Sequence, residues 1–285
     1  HSMPQGSVII TGGAGFVGRH LIAELLNNAS FSQVIILDRT VDNLPPGVVG
    51  HAVDITNPDT YVEIIRDVQP SWIIHLAAVS SVGFSLTHED LTRTVNVFST
   101  EKLIQASLSV NPDVKFLVIS SADIYGFMGE GPIVELPLSA AHPTNPYGES
   151  KLEMEQVIEE KYNVHCIRVR PFPHIGPGQA KGFVTADFAS QIASIEKGTQ
   201  QPEILVGNLE AKRDFTDVRD VVRAYRLLIE KGQLGEVYHV ASGKDHSIQY
   251  ILDTLLSLSS VTIRVTQDSA RMRPSDTPVL LGDIT

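Results

Sequence analysis

Tyr147 and Lys151 are four positions apart, which on a helix places a phenol and an ammonium one turn apart on the same face. An unperturbed tyrosine has a pKa of about 10, so it can exchange protons near neutral pH only if a nearby positive charge favours the phenolate. Lys151 could supply that charge. The same spacing is also common on an ordinary solvated helix face, so the pair alone leaves both interpretations open.

A glycine-rich turn lies near the start of the chain. The apolar run 8–11 predicts a strand, the run 12–18 (Gly-Gly-Ala-Gly-Phe-Val-Gly) predicts a turn, and an amphipathic helix follows. Glycines allow the backbone to approach a pyrophosphate, and the helix N-terminus adds N–H groups and a partial positive charge. Asp38 ends the next apolar run, about 20 residues on, where a carboxylate can bind an adenosine ribose. This spacing predicts a dinucleotide site.

Asp38 and Arg39, at the end of the second predicted strand, indicate which dinucleotide is preferred. The carboxylate of Asp38 would repel the additional phosphate of NADP, which makes NAD the first choice. The neighbouring Arg39 could partly compensate that repulsion, so NADP stays possible.

Composition excludes several classes of protein. The 285 residues are 42% hydrophobic, enough for one large or two small domains, and the formal net charge of −11 argues against nucleic acid as a partner. The single cysteine, Cys166, excludes an internal disulfide framework, and no Cys/His cluster has zinc spacing, so we expect no metal. No apolar run is long enough to cross a bilayer. A cytoplasmic protein without a membrane partner is the expectation.

Short apolar runs alternate with helical patterns, which predicts an α/β fold with a doubly wound parallel sheet. In the first part we expect strands at 34–38, 73–76, 115–120 and 164–169, and helices at 19–27, 59–67, 90–109 and 146–161. Further on we expect helices at 186–197, 218–230 and 248–257, and strands at 203–206, 236–241 and 262–266. Ligands of such sheets bind beyond the carboxyl ends of the strands, where the glycine turn and Asp38 both fall.

Prolines and glycines are concentrated between 171 and 182, which marks a domain boundary. We expect a dinucleotide-binding domain over 1–172 and a smaller, mixed α/β domain over 173–285 that holds the substrate. Part of 214–245 is expected to return to the first domain.

Several motifs occur in the order typical of the extended short-chain dehydrogenases/reductases, and the chain resembles that family from Ser7 to its end. The motifs are 11–18 (Thr-Gly-Gly-Ala-Gly-Phe-Val-Gly), 53–55 (Val-Asp-Ile), 75–78 (His-Leu-Ala-Ala), 96–97 (Asn-Val), 120–126 (Ser-Ser-Ala-Asp-Ile-Tyr-Gly), Tyr147-x-x-x-Lys151 and 170–177 (Arg-Pro-Phe-x-x-x-Gly-Pro). The resemblance implies a Rossmann-like domain that binds NAD(P), a nucleoside-diphosphate sugar held against the second domain, and a homodimer formed through helices 90–109 and 146–161.

The resemblance also implies which residues bind the cofactor. They are Gly12, Gly15, Phe16, Val17, Gly18, Asp38, Arg39, Asp54, Ile55, Leu76, Ala77, Ala78, Asn96, Ser120, Tyr147, Lys151 and Pro171. Three of these have a structural alternative from the residues themselves. Asp54 could cap the turn before Pro58, and Ala77 with Ala78 could be strand-end packing.

Four catalytic residues follow from the same resemblance: Ser121, Asp123, Tyr147 and Lys151. Tyr147 would be the acid/base group, Lys151 would hold the nicotinamide ribose and lower the pKa of the tyrosine, and Ser121 would bind the reacting sugar oxygen. An acid at position 123 occurs in 4,6-dehydratases, which use it to remove water, and in some 4-keto sugar reductases. Asp123 could also be a strand-end residue satisfied by backbone amides.

The second half of the chain looks most like the GDP-sugar branch, with GDP-4-keto-6-deoxy-mannose reductases first and GDP-mannose 4,6-dehydratases next. The substrate-binding residues implied are Ser80, Ser121, Asp123, His174, Val184, Asn208, Arg213, Arg273 and Asp276. Arg213 and Arg273 are suited to a diphosphate because a guanidinium donates two parallel hydrogen bonds. Both could instead form surface salt bridges with nearby aspartates.

We therefore expect a nucleotide-sugar oxidoreductase that reduces the C4 ketone of a GDP-4-keto-6-deoxy-hexose with NAD(P)H. The alternatives are GDP-mannose 4,6-dehydratase or another nucleotide-sugar epimerase/dehydratase, followed by a non-catalytic NAD(P)-binding protein. One position departs from the family: Pro173 stands where an Asn usually helps to hold the substrate, and proline has neither a side-chain amide nor a backbone N–H.

Overall fold

The computed structural model describes residues 6–180, 183–272 and 277–285. Its strands are β1 (Ser7–Thr11), β2 (Gln33–Asp38), β3 (Val48–Ala52), β4 (Trp72–His75), β5 (Lys115–Ile119), β6 (Cys166–Pro171), β7 (His174–Ile175), β8 (Glu203–Val206), β9 (Lys212–Asp214), β10 (Thr216–Asp217), β11 (Val237–Val240), β12 (Asp245–Ser247), β13 (Arg264–Gln267) and β14 (Val279–Leu280). Its α-helices are α1 (Phe16–Asn28), α2 (Val62–Val68), α3 (Val82–Ser85), α4 (Glu89–Arg93), α5 (Ser99–Val110), α6 (Pro146–Lys161), α7 (Val184–Glu196), α8 (Val218–Lys231) and α9 (Ile248–Ser257).

The central sheet confirms the predicted fold class. Seven parallel strands lie in the order β11-β6-β5-β4-β1-β2-β3. The chain proceeds outward from β1 through β2 to β3 on one side, and from β4 outward on the other. The strand order therefore reverses between β1 and β4, and a crevice forms beyond the carboxyl ends of these two strands. The glycine turn follows β1 directly, so it lies at this crevice.

Both faces of the sheet are covered by helices, which explains why its strands are continuously apolar. Side chains alternate along a strand, so Val8 and Ile10 pack into one core layer and Ile9 packs into the other. Helices α1 and α8 form the first layer, with Leu21 and Tyr225 among its buried side chains, and α2, α5 and α6 form the second. These layers fix the positions of the strand ends.

The predicted helix 90–109 is interrupted. A π-helical turn, Thr94–Phe98, separates α4 from α5. Two side chains bond to backbone carbonyls inside this turn: the Ser99 hydroxyl donates to the carbonyl of Thr94, and the Thr100 hydroxyl donates to that of Asn96. Side chains that take the place of backbone N–H groups in a helix favour a π-helical turn of this kind. The spacing of apolar residues in the sequence does not reveal such a turn.

The second part of the chain contains a smaller α/β unit. Helices α7 and α9 pack on the parallel pair β8–β13 through Phe188, Ile192, Ile204 and Leu252. The strands β12, β9 and β14 form another small sheet. Helix α8 and strand β11 belong to the central sheet and its first core layer. The division into domains at residue 172 stays a prediction.

Within the described residues, no helix is both long and apolar enough to span a membrane.

Candidate active site

A crevice of about 920 Å³ lies beyond the carboxyl ends of β1 and β4 and extends toward α7 and β8. Its size is that of a cofactor or ligand site. Most of the residues predicted to bind cofactor or substrate line it. These are Gly12, Gly15, Phe16, Val17, Gly18, Asp38, Arg39, Ile55, Leu76, Ala77, Ala78, Ser80, Ser121, Asp123, Tyr147, Pro171, His174, Val184, Asn208 and Arg213.

The glycine turn fits a pyrophosphate because its backbone is exposed to the crevice without side chains. Gly12 has a φ of +69°, and a Cβ there would lie 2.8 Å from the backbone nitrogen of Ala77, so the turn packs directly on the end of the next strand. A Cβ on Gly18 would clash with the backbone of Gly13. Gly15 precedes α1 and provides no side-chain cap, which leaves the helix N-terminus available to an anion.

Asp38 lies at the rim of this turn and is fixed in place. Its Oδ2 accepts a hydrogen bond from the backbone N–H of Ala14 over 3.0 Å, and its Oδ1 accepts one from the N–H of Arg39 over 2.7 Å. The Arg39 side chain also lines the crevice. A carboxylate and a guanidinium are therefore adjacent where an adenosine ribose would lie, as the sequence indicates.

Helix α6 carries the predicted acid/base residues, and its first turn is built to bring them close to β5. The Asn145 side chain caps the helix by accepting from the N–H of Gly148 over 2.8 Å. A Cβ on Gly148 would lie 2.5 Å from the carbonyl oxygen of Asp123. Glycine at this position thus allows the helix to contact the turn after β5, which places Tyr147 against Ser121.

Ser121, Asp123 and Tyr147 form a connected group. The Ser121 hydroxyl donates to Oδ2 of Asp123 over 3.0 Å and accepts from the backbone N–H of Asp123 over 3.0 Å. Burial raises the pKa of Tyr147, the charge of Asp123 raises it further, and a hydrogen bond with Ser121 lowers it. The net effect is a raised pKa, so the phenol is protonated at neutral pH.

Lys151 is buried behind this group, one helical turn from Tyr147. Its Nζ donates to the carbonyl of Ile119 over 2.9 Å and lies 6.0 Å from the centre of the tyrosine ring. Burial lowers the pKa of Lys151 to about 8, against the opposing charge of Glu155. The expectation that Lys151 lowers the pKa of Tyr147 differs from the structure: the phenol is buried beside Asp123, and its pKa is raised instead.

Four predicted cofactor residues do not line the crevice: Asp54, Asn96, Ser120 and Lys151. Ser120 is buried and donates to Oε2 of Glu155, because consecutive strand residues point to opposite sides and Ser121 takes the crevice side. Asn96 is also buried. Its side-chain amide accepts from the backbone N–H of Val79 and donates to the carbonyl of the same residue. These contacts make both residues supports of the crevice wall.

Asp54 follows its structural alternative. Its Oδ1 accepts from the backbone N–H of Thr56 over 2.9 Å and from the Thr56 hydroxyl over 2.7 Å, which closes the turn before Pro58. Its neighbours Val53 and Ile55 line the crevice. Two predicted substrate residues, Arg273 and Asp276, lie outside the described residues.

His75 is buried and supports the ends of β1 and β4. In the sequence it was recognised only as part of the 75–78 motif. His75 accepts from the Thr11 hydroxyl at Nδ1 (2.6 Å) and donates from Nε2 to Thr100 (2.9 Å), since the Thr100 hydroxyl itself donates to the carbonyl of Asn96. The Thr11 oxygen accepts from the N–H of Ala77. Burial, assisted by the charge of Lys151, lowers the pKa of His75 to about 3, so the ring is neutral and the chain of bonds runs in one direction.

The far end of the crevice is polar. Arg213 donates from Nη1 to the carbonyls of Lys212 (2.9 Å) and Thr277 (2.7 Å), and Asn208 accepts from the N–H of Glu210. Asp214, next in sequence, is buried and accepts from the backbone N–H groups of residues 242, 243 and 282. Sequence reasoning missed several polar lining residues: Ser81, Asn145, Gln179, Thr185, Asp187 and Arg271. Gln179 comes two residues after the 170–177 motif and Arg271 two residues before Arg273, which is the signal that could have found them.

No group of His, Cys, Asp and Glu side chains suited to a metal ion occurs within 6–180, 183–272 and 277–285.

Known proteins are similar to this chain in sequence and in fold. The model of the family described as GDP-mannose 4,6 dehydratase matches residues 9–285. GDP-6-deoxy-D-mannose reductase from Pseudomonas aeruginosa is 35% identical, over 94% of this chain and 85% of the relative. GDP-6-deoxy-D-talose 4-dehydrogenase from Aggregatibacter actinomycetemcomitans is 29% identical, over 97% and 88%.

The solved structure of RMD from Pseudomonas aeruginosa complexed with NADPH superimposes with a TM-score of 0.80 at 33% identity, and covers 98% of this chain and 89% of that one. The family match spans nearly the whole chain, and the glycine turn, Ser121, Tyr147 and Lys151 all fall within it. The protein belongs to the GDP-mannose 4,6 dehydratase family of the extended short-chain dehydrogenases/reductases.

Proposed function

We propose that the protein reduces the C4 ketone of a GDP-4-keto-6-deoxy-hexose with NAD(P)H. One observation carries the proposal: Tyr147, hydrogen-bonded to Ser121, lies in the same crevice as a glycine turn suited to a dinucleotide. The likeness to GDP-6-deoxy-D-mannose reductase supports the choice of sugar and nucleotide.

The roles of the side chains follow from their positions. Bound NAD(P)H supplies the hydride. Ser121 and Tyr147 donate hydrogen bonds to the C4 oxygen, which stabilises the negative charge that develops there, and Tyr147 gives that oxygen its proton. The raised pKa of Tyr147 keeps the proton on the phenol until it is needed. An ammonium has three N–H donors, and Lys151 uses one on Ile119, so the others can hold the nicotinamide ribose.

For the coenzyme, we propose that NADH is preferred and NADPH is accepted. The carboxylate of Asp38 is fixed at the rim by two backbone N–H groups, which place it near the ribose. Its negative charge opposes a 2′-phosphate, while the adjacent Arg39 attracts one. The relative solved with NADPH supports the acceptance of the phosphorylated form.

The substrate would enter from the side of α7. Ser80, His174 and Val184 would surround the hexose, and Arg213 would bind the diphosphate. Asn208 lines the same crevice and would meet the nucleoside. All of them line the crevice, which supports this assignment.

Dehydration of GDP-mannose is the second candidate, and Asp123 favours it. Its carboxylate lines the crevice beside Ser121, where an acid could assist the loss of water from the sugar. The description of the family agrees with this activity. Reduction is favoured by the likeness to GDP-6-deoxy-D-mannose reductase and by the raised pKa of Tyr147.

We also propose a homodimer and a cytoplasmic location. Leu91 on α4 and Phe98 in the π-helical turn are 44% and 42% exposed, and Arg93 links α4 to α6 through Glu153, so these helices present a joined, partly apolar face. Light scattering on the purified protein tests the dimer. Cys166 is a buried free thiol, which suits a reducing compartment.

Coenzyme stoichiometry tests the function. We expect one NADH or NADPH to be consumed for each GDP-4-keto-6-deoxy sugar converted. Formation of a 4-keto product from GDP-mannose without net consumption of coenzyme would replace reduction by dehydration.

A further inference from the structure

Helix α6 carries a third ionisable side chain on the face of Tyr147 and Lys151. Glu155 is four residues beyond Lys151, so the phenol, the ammonium and the carboxylate lie on three successive turns. Glu155 is completely buried, and it does not line the crevice. A buried carboxylate so close to the acid/base group needs a role of its own.

Each of these turns bonds to one of three consecutive residues at the end of β5. Tyr147 bonds to the Ser121 hydroxyl, and Lys151 donates to the carbonyl of Ile119 over 2.9 Å. The third bond runs from the hydroxyl of residue 120 to Oε2 of residue 155 over 2.6 Å. The strand end is therefore held against the helix at three points, and the catalytic contact at Ser121 is one of them.

Glu155 itself is fixed by the neighbouring strand β6. Its Oε1 accepts from Nη1 of Arg168 and from Nη2 of Arg170, each over 3.0 Å, and Nε of Arg170 lies 3.0 Å from Oε2. A guanidinium that donates two hydrogen bonds to a carboxylate fixes the orientation of that carboxylate in addition to attracting its charge. Buried ion pairs often contribute little net stability, because desolvation opposes the attraction, so geometric definition is the main effect expected here.

We propose that Glu155 is a positioning residue for the acid/base site, which holds Ser121 and Lys151 in register against Tyr147 through its hydrogen bond to Ser120. The proposal rests on the proposed reduction only for the rate measurement below. Ser121 follows Ser120 directly, so a shift of the strand end moves the hydroxyl that bonds to the substrate. Displacements of about 1 Å at such a group reduce rates by up to about 100-fold.

The charge of Glu155 has a second consequence, for Lys151. The groups that face Lys151 are Tyr147 and Glu155 on its own helix, the neutral His75 at the end of β4, and the carbonyl of Ile119 on β5. Glu155 is the anion among them, and it raises the pKa of Lys151 against burial. Removal of this charge must therefore lower the pKa of Lys151 further.

Three variants separate these effects. Ser120→Ala removes the hydrogen bond to the strand end and leaves every charge in place. Glu155→Gln removes the charge. Glu159→Gln is the matched control, because Glu159 also lies on α6 and pairs with Arg168 over 3.0 Å but is half-exposed.

The first measurements do not depend on turnover. Amide hydrogen exchange at residues 119–121 should accelerate in Ser120→Ala and Glu155→Gln and stay unchanged in Glu159→Gln. The side-chain NMR signal of Lys151 should titrate at lower pH in Glu155→Gln than in the wild type and in the control. If Glu155→Gln does not fold, Ser120→Ala still decides the proposal.

Turnover completes the test. With the GDP-4-keto-6-deoxy sugar, kcat should fall roughly 10-fold or more in Ser120→Ala, while the Kd for coenzyme changes less than about 2-fold. Normal kcat together with normal exchange at 119–121 in Ser120→Ala would overturn the proposal. A wild-type protein that does not reduce the sugar would refute the proposed function alone, since exchange and titration still report on Glu155.

Discussion

The hydroxyl of Ser121 donates to the carboxylate of Asp123 over 3.0 Å, and its oxygen accepts from the backbone N–H of the same aspartate. A hydroxyl has one hydrogen, so Ser121 can donate to a substrate oxygen only after it turns away from Asp123. Tyr147 has the same constraint: its phenol carries one hydrogen, and the Ser121 hydroxyl, whose own hydrogen is on Asp123, accepts it. Asp123 therefore controls how readily the Ser121 hydroxyl can donate a hydrogen bond to the substrate.

Asp123→Asn separates the two candidate reactions. The amide oxygen can still accept from Ser121, so we expect the reductase kcat to stay within about 10-fold of the wild type. A dehydratase that needs the carboxylate for acid/base work would lose roughly 100- to 10,000-fold. Steady-state rates with both sugars measure the difference, with Ser121→Ala as the control that should impair reduction. Complete loss of reduction in Asp123→Asn would give the carboxylate a direct role in it.

The rate should depend on the charge of Lys151. Burial lowers its pKa from the usual value of 10.5 to about 8, so the ammonium is present below that pH and is lost as the pH rises through about 8. Tyr147, with a raised pKa, remains protonated over this range. We expect kcat/KM, which reports the free enzyme, to be flat below this limb and to fall above it. A profile that stays flat to pH 10 would contradict the assigned role of Lys151.

Arg39→Gln should change the preference for coenzyme. The guanidinium lines the crevice beside Asp38, and hydrogen bonds to a charged group contribute about 1.5–3 kcal/mol. Its loss should weaken NADPH binding by roughly 10-fold or more and leave NADH nearly unchanged, measured as Kd by fluorescence titration. Equal weakening of both coenzymes would place Arg39 away from the 2′-phosphate.

Arg213→Gln tests the diphosphate end of the crevice. We expect KM for the GDP-sugar to rise roughly 10- to 100-fold with little change in kcat, because the contact is made in the ground state and the transition state alike. Arg264→Gln is the matched control: Arg264 is 74% exposed, pairs with Glu203 and does not line the crevice. A normal KM in Arg213→Gln would remove this residue from the substrate site.

The sequence was sufficient to predict those elements whose local residue pattern agrees with their place in the fold. The run 8–18 predicted β1, the glycine turn and a helix after it, because each signal is local and the three reinforce one another, although α1 begins at Phe16, three residues before the predicted 19–27. The bounds of α6 and α9 were also predicted correctly, at 146–161 and 248–257, since Asn145 and Ser247 are capping residues.

Other features depend on contacts between distant residues. The direction of Ser120 follows from the register between β5 and α6, and the π-helical turn at 94–98 depends on side chains that bond to the backbone. Strand β3 has mixed burial and lacks the apolar run that marked its neighbours, so it was not predicted. The family motif placed Asp54 with the cofactor, whereas its local turn chemistry determined its hydrogen bonds.

The most direct test of the central claim follows a label from the coenzyme. NADH or NADPH carrying deuterium at both C4 positions is incubated with the GDP-4-keto-6-deoxy sugar, and the product is examined by NMR. Reduction predicts one deuterium at C4 of the sugar, with the rate reduced at least about 100-fold in Tyr147→Phe while the coenzyme still binds. A product without deuterium at C4, or a Tyr147→Phe variant with full turnover, would contradict the account.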